Sequence, residues 1–262
     1  MAIASREVAP GRLPVHRRPA LVRAASFAGL VAAWQIVALV ARSDVLPGPL
    51  AVLDALFAHT LSGELPYHLV ITLARVAVAF LLAMAIGTAV GIALGRYRQL
   101  DLVFDGALVL GLNIPALVTI ILCYVWFGLN DVAAVLAVAL NKIPTVVVMV
   151  REGARAVDPK LLAVAQAYRV PRLVTLRRVF LPQLYPYLMG AARSGLALIW
   201  KIVLVVELLG RSNGVGFQLH VYYQFFDIAA ILAYTLAFAG VVLLIEAWVM
   251  RPLENRLTRW RA

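Results

Sequence analysis

Acidic residues are scarce in this chain and cysteine is nearly absent. Asp and Glu number 13 against 24 Lys and Arg, charged residues make up only 14%, and Cys123 is the single cysteine. One cysteine excludes an internal disulfide and a cysteine metal cluster, and Cys123 reads as a packing residue inside an apolar run. Also missing are an H-E-x-x-H zinc helix and a G-x-x-x-x-G-K-[ST] phosphate loop, so no metal site and no catalytic residue is assigned. Without that loop the chain does not hydrolyse ATP by such means, and any energy input must come from another polypeptide.

Hydrophobic residues, at 63% of 262 positions, far exceed the roughly 45–50% of a soluble domain. The chain is therefore read as an all-α integral membrane protein. A bilayer core needs roughly 20 apolar residues as a helix, because lipid leaves no other partner for backbone N–H and C=O groups. Six runs qualify: Leu21–Ala41, Leu69–Gly95, Leu102–Trp126, Val132–Val150, Leu184–Leu209 and Ile228–Met250. A membrane β-barrel would show short alternating segments separated by turns, whereas these runs are continuously apolar. Six spans put both termini on one side. Residues 1–20, basic and broken by proline, read as a cytoplasmic tail before a retained first span, and residues 21–262 as the transmembrane domain.

Orientation follows from the arginines. With a cytoplasmic amino terminus, the tail, Arg96, Arg98, the basic group at 151–178 and the carboxyl-terminal arginines all face inward. Only Arg42 and Arg211 fall in the opposite loops. This is the positive-inside pattern, and it accounts for the net charge of +11 without nucleic acid.

The longest inward loop, 151–183, contains DPKLLAVAQAYRVPRLVTLRRVFLP. Asp158 is placed to cap a helix whose first position is Pro159, with Leu161, Leu162, Ala165 and Tyr168 at helical spacing. Val170-Pro171 interrupts it. A second piece brings Leu173, Leu176 and Phe180 to one side, and Pro182 is expected to end it. Two readings stand: a helix pair resting on anionic lipid headgroups, or a docking element for a cytoplasmic protein.

The order and spacing of LPGPLAVLDALF, SGELPYHLVITLARV, IGTAVGIALGR, IPALVTIILCYVWFGL, the 157–210 stretch, SNGVGFQ and the closing RW resemble the permeases of bacterial ATP-binding cassette importers, in the nitrate/sulfonate/taurine branch. The likeness runs from about Leu46 onward. It implies a type I importer permease fold with a cytoplasmic coupling helix, in the bacterial inner membrane, with both termini cytoplasmic. It also implies two ATPase subunits that bind ATP and Mg, a second permease copy or paralogue, and a periplasmic binding protein that delivers a small anionic solute. The chain itself would hold no cofactor and perform no covalent chemistry. By position, the ATPase-coupling residues are Lys160, Leu161, Ala163, Val164, Ala165, Tyr168, Arg169, Val170 and Arg172. Two depart from the family pattern. Ala163 stands where a glutamate is usual and Arg169 where a glycine is usual, and arginine is expected not to reproduce the backbone freedom of glycine.

Charge within a span costs roughly 2.5–3.5 kcal/mol on insertion scales unless it faces a pore or a partner. Arg75, Lys142, Arg193, Lys201, Glu207 and Glu246 lie in or near the runs. Lys142 and Arg193 are close enough to a surface to snorkel. Lys201 and Glu207, two turns apart on one helix, need other partners. They are read as members of a buried ion pair or as lining of the translocation pathway. Gly87, Gly91 and Gly95 form a small-xxx-small ridge suited to close helix contact.

Two competing functions are weighed. Gly210-Arg211-Ser212-Asn213-Gly214 matches G-x-S-x-G, but a nucleophile elbow needs a strand before the serine, and here a membrane helix precedes it. A stand-alone secondary carrier or channel would be expected to pair intramembrane carboxylates with an ion route and to show internal repeats, which the sequence lacks.

Overall fold

The computed structural model describes Pro19–Ala41, Ser43 and residues 45–258. The expected tail and the closing Arg259-Trp260 lie outside the described residues. Among the described residues the chain is helical throughout, and it falls into two compact units divided between Ala51 and Val52.

The first unit holds α1 (Pro19–Ala41), whose apolar side chains, Phe27, Leu30, Ile36 and Leu39 among them, are almost all exposed. That is the surface a lipid-facing span presents. Trp34 donates its indole N–H to Pro47 O at 3.1 Å, tying the helix to the turn that follows it.

α2 (Pro49–Leu61) runs from the boundary into the second unit, whose remaining helices are α3 (Glu64–Arg96), α4 (Arg98–Asn113), α5 (Ala116–Phe127) and α6 (Asp131–Arg155). These are followed by α7 (Pro159–Ala167), α8 (Arg172–Thr175), a π turn at Leu176–Phe180 and α9 (Leu181–Gly210). α10 (Val215–Gln224), α11 (Ile228–Ile245), a second π turn at Glu246–Met250 and α12 (Arg251–Thr258) complete it.

Four stretches are long and apolar enough to cross a bilayer: Ala24–Ala41, Glu64–Arg96, Asp131–Arg155 and Ile228–Glu254. α9 has ample length at 30 residues but is interrupted by Arg193, Lys201 and Glu207. The run expected as one straight span at Leu102–Trp126 is instead broken. α4 and α5 meet at 98°, with Ile114 extended (φ −68°, ψ 123°) because a residue before proline is pushed out of the helical region. The apolar run thus counts as one span by composition but two helices by backbone.

α3, α6 and α9 form the core, with α5, α10 and α11 packed around them. Small residues let the backbones meet. A β-carbon on Gly87 would lie 2.6 Å from Val146, one on Gly91 2.8 Å from Val147 O, and one on Gly95 2.6 Å from Ala154 Cβ. The four-residue glycine ridge of α3 is therefore the face that α6 covers. Ala79, Ala83, Ala133, Ala134 and Ala137 extend the seam, each no more than 1% exposed. In lipid, such close packing supplies the van der Waals contact that replaces a hydrophobic drive.

Candidate functional site

Besides the ion-pair network of Arg151 and Arg155 with Asp101, Asp105 and Glu152 that joins α4 to α6, two places in the fold bear on function. The first is a clamp around Glu207, which lies in the last turn of α9 and is 0% exposed. Its carboxylate accepts from Arg75 Nη1 at 2.7 Å, from Thr72 Oγ1 at 2.9 Å and from the Gly216 backbone N–H at 2.9 Å. Arg75, on α3, also donates to Asp131 Oδ1 at 2.8 Å, to Asn213 O at 2.9 Å and to the Asn213 side chain. Asp131 is shared with Arg211 at 3.2 Å. His68 accepts the Gly214 N–H at 2.9 Å, and Thr72 Oγ1 takes the Val215 N–H at 2.8 Å. Two arginines thus meet two carboxylates, and the loop Arg211–Gly214 is folded back over α3. Gly214 makes that fold possible. Its φ is +106°, and a β-carbon there would run into the Glu207 carboxyl group.

Glu207 is therefore in a buried ion pair, and its partner is Arg75 and not Lys201. Lys201 is exposed and makes no ion pair among the described residues. Lys142 does not snorkel. It is 1% exposed on α6, its Nζ has no hydrogen-bond partner, and Gly195 of α9 leaves room for its Cε. Arg193 reaches Glu246 at 2.6 Å and Glu254 at 2.9 Å, tying α9 to the end of the last span. A groove of about 540 Å³ beside the clamp is lined by Ile71, Val78 and Leu136 together with Arg75 and Asp131.

The G-x-S-x-G serine is not assembled into a triad. His220 lies 2.9 Å from Gln224, Glu207 is engaged by Arg75, and Ser212 sits on the exposed turn between them.

The second place is the 158–183 segment. Asp158 caps α7 by accepting the Lys160 N–H at 2.8 Å, with Pro159 in the first turn. The Asp158 N–H in turn reaches Gln183 Oε1 at 2.9 Å, fastening the start of α7 to α9. The face expected to hold Leu161, Leu162, Ala165 and Tyr168 together is split. Ala165 is buried and Leu162 packs with Phe180 and Leu184, while Leu161, Val164 and Tyr168 are exposed at 49%, 54% and 81%. Both sides of this nine-residue helix are apolar, and only one is covered by the chain itself. Lys160, Ala163 and Arg172 are exposed alongside, and Val170 is half-buried.

Three expectations for this segment need correction. Arg169 does adopt the backbone expected of glycine: its φ is +50°. The Val170 N–H bonds Ala165 O and the Arg169 N–H bonds Gln166 O, each at 2.9 Å, closing α7 with the six-to-one and five-to-two bonds of a Schellman motif. Pro182 does not end the second piece. It comes just after the π turn, whose wider winding relieves the clash between its ring and the preceding turn, so the helix continues from Arg172. That wider turn also rotates Phe180 into the core (5% exposed) and leaves Leu173 and Leu176 outside.

Arg75, Thr72 and His68 received no role from the sequence, although they stand at i, i+4 and i+7 on α3. A polar stripe in an otherwise apolar span was the available signal.

An all-helical membrane protein with a broken span, a polar clamp at one end and a short two-faced helix at the other is the architecture of a transporter subunit. The chain belongs to the family of binding-protein-dependent transport system inner membrane components, which matches residues 69–258, and it is a membrane permease subunit of an ABC importer. It is 32% identical over 234 residues to the putative aliphatic sulfonates transport permease protein SsuC of Bacillus subtilis, covering 88% of this chain and 84% of that one. The taurine transport system permease protein TauC of Escherichia coli is 27% identical over 255 residues, covering 95% and 92%. The fold is also that of a chain from the MetNI methionine ABC transporter, solved in inward-facing conformations: TM-score 0.66 at 18% identity, over 76% of this chain and 98% of that one.

Proposed function

We propose that this permease imports a small anion of the organosulfonate class. The relatives named for aliphatic sulfonates and for taurine support that class, since both solutes present a sulfonate group. In this reading two copies, or one copy and a paralogue, enclose the pathway in the bacterial inner membrane, and a periplasmic binding protein delivers the solute. Two partner ATPases hold ATP and Mg and carry out hydrolysis. The arginine distribution supports cytoplasmic termini. The chain works by a population shift between inward-open and outward-open states, biased by the ATPases.

The observation that carries the mechanism is the uncovered apolar face of α7. Leu161, Val164 and Tyr168 stand beside a groove of about 470 Å³ walled by Val170, Val179 and Pro182. A protein that seats this face buries three large side chains, and the Asp158–Gln183 bond passes its movement to α9. Lys160 and Ala163 form the exposed margin of the coupling contact above the buried Ala165, whereas Arg169 and Arg172, expected at the same contact, line the cavity on the other side of α7. Lys201, exposed and without an ion pair among the described residues, supplies positive charge to the pathway, while Glu207 serves as structure.

The test is reconstitution with the ATPase and candidate binding proteins, measuring ATP hydrolysis and uptake stimulated by taurine, alkanesulfonates or neutral solutes. Deleting residues 160–170, or Ala165→Glu, is expected to abolish ATPase association while the chain still inserts. Lys201→Met is expected to lower anion uptake and leave assembly intact. Unchanged co-purification after the deletion sinks the coupling role, and stimulation only by solutes that lack a sulfonate group sinks the substrate class.

A further inference from the structure

On the side of α7 away from that groove lies a second cavity, of about 820 Å³, between the end of α3 and the α7–α8 segment. Arg96, Arg169 and Arg172 line it, and no carboxylate does. Among the described residues none of the three guanidinium groups makes an ion pair. Arg98, Arg177 and Arg178 likewise make no ion pair among the described residues, so what distinguishes Arg96, Arg169 and Arg172 is that they line one cavity. All three are exposed and so screened by water, but three guanidinium groups lining one space make it a favourable seat for an anion. Arg169 is held there in a left-handed backbone that disfavours any side chain by roughly 1–2 kcal/mol, and such a conformation persists where the surroundings over-determine it.

The remaining walls say what kind of anion fits. Tyr97 stands at the end of α3, where an aromatic ring marks the membrane–water boundary. Leu162, Leu176 and Phe180 add apolar surface next to the arginines. A bare inorganic ion has no use for that surface, and the cavity is far larger than such an ion.

We propose that this cavity is a binding site for a phosphate-bearing anion, presented by the headgroup of an anionic phospholipid at the membrane surface. The guanidinium groups take the phosphate oxygens in forked hydrogen bonds, and the apolar wall accommodates the glycerol end. Seated between α3 and α7, the headgroup ties the position of α7 to lipid composition.

The experiment uses the full-length chain in nanodiscs of phosphatidylcholine alone or with phosphatidylglycerol. Lipid retained after extraction is counted by native mass spectrometry, and stability is read by thermal melting. The parent is expected to keep phosphatidylglycerol in preference to phosphatidylcholine. Each of Arg96→Gln, Arg169→Gln and Arg172→Gln should weaken retention on the order of fivefold, and the three together about a hundredfold. Arg177→Gln, exposed and outside the cavity, should not. If the triple variant fails to fold, the single variants carry the same reading. Stabilisation of lipid-free protein by pyrophosphate, lost in the variants and without phosphatidylglycerol retention, keeps the phosphate site but assigns it a soluble source. Equal retention by parent and variants overturns the proposal. So does a parent that holds neither ligand while the variants lose the ATPase, which would make the cavity a protein contact.

Discussion

Replacing Arg75 by methionine tests the clamp most directly. In the parent, Glu207 is fully buried and receives Arg75, Thr72 and Gly216, so its charge is compensated inside the protein. Arg75→Met removes the cation and leaves the carboxylate to a hydroxyl and one N–H. Breaking a buried pair from one side costs about 3–5 kcal/mol. Asp131 is less affected, since Arg211 remains within 3.2 Å of it and the carboxylate is 61% exposed. Glu207→Gln is milder. Arg75 keeps Asp131 and Asn213, and one mismatched hydrogen bond near Gly216 N–H or Arg75 costs about 1–3 kcal/mol. Joining the two changes removes the stranded charge, so the double variant should be more stable than Arg75→Met alone and the cycle non-additive by about 1–3 kcal/mol. Unfolding in mixed dodecylmaltoside and dodecyl sulfate micelles, followed by fluorescence of the five tryptophans, supplies the free energies. A loss below about 1 kcal/mol for Arg75→Met, or strict additivity in the cycle, would refute the buried-pair account.

Lys142→Met should raise stability by about 1–3 kcal/mol in the same assay, because it replaces a buried ammonium without a partner by an apolar chain of similar length. Gly91→Ala should lower it by about 1–3 kcal/mol, since the new β-carbon meets Val147 O and Val150 on α6 and one of these must shift. Arg169→Gly should stabilise lipid-free protein by about 0.5–1 kcal/mol: relief of the left-handed backbone is partly offset by the freer unfolded chain. Urea titration or thermal melting of the purified chain decides that sign.

The membrane class, the start of α7 and the α3 glycine ridge were legible because each is written locally. Apolar runs longer than the bilayer requires, Asp158 before Pro159, and glycines every fourth residue are patterns within one segment. The break at Ile114-Pro115 was signalled by proline but hidden by the apolar residues on both sides, so composition merged two helices into one. Glu207 was recognised as needing a partner, yet Arg75 lies 132 positions away, and no spacing rule names a contact between separate helices. The fate of Arg169 turned on energy. A preference of roughly 1–2 kcal/mol for glycine is overcome when neighbouring hydrogen bonds fix the turn. Phe180 was misplaced because a π turn leaves no distinct mark in sequence but shifts every residue after it.

From Arg172 through the first π turn to Gly210, 39 residues wind without a break in helical backbone. At 1.5 Å per residue such a rod is about 58 Å long. The bonded corner of Asp158 and Gln183 meets it at its twelfth residue, and 24 residues further on Glu207 enters the clamp with Arg75. It is a lever. Pivoted at that corner, a tilt of about 5° sweeps the Glu207 end through about 3 Å over the roughly 36 Å between them. A movement imposed at the α7 corner would be enlarged along that arm, and the clamp would be the load on which it acts.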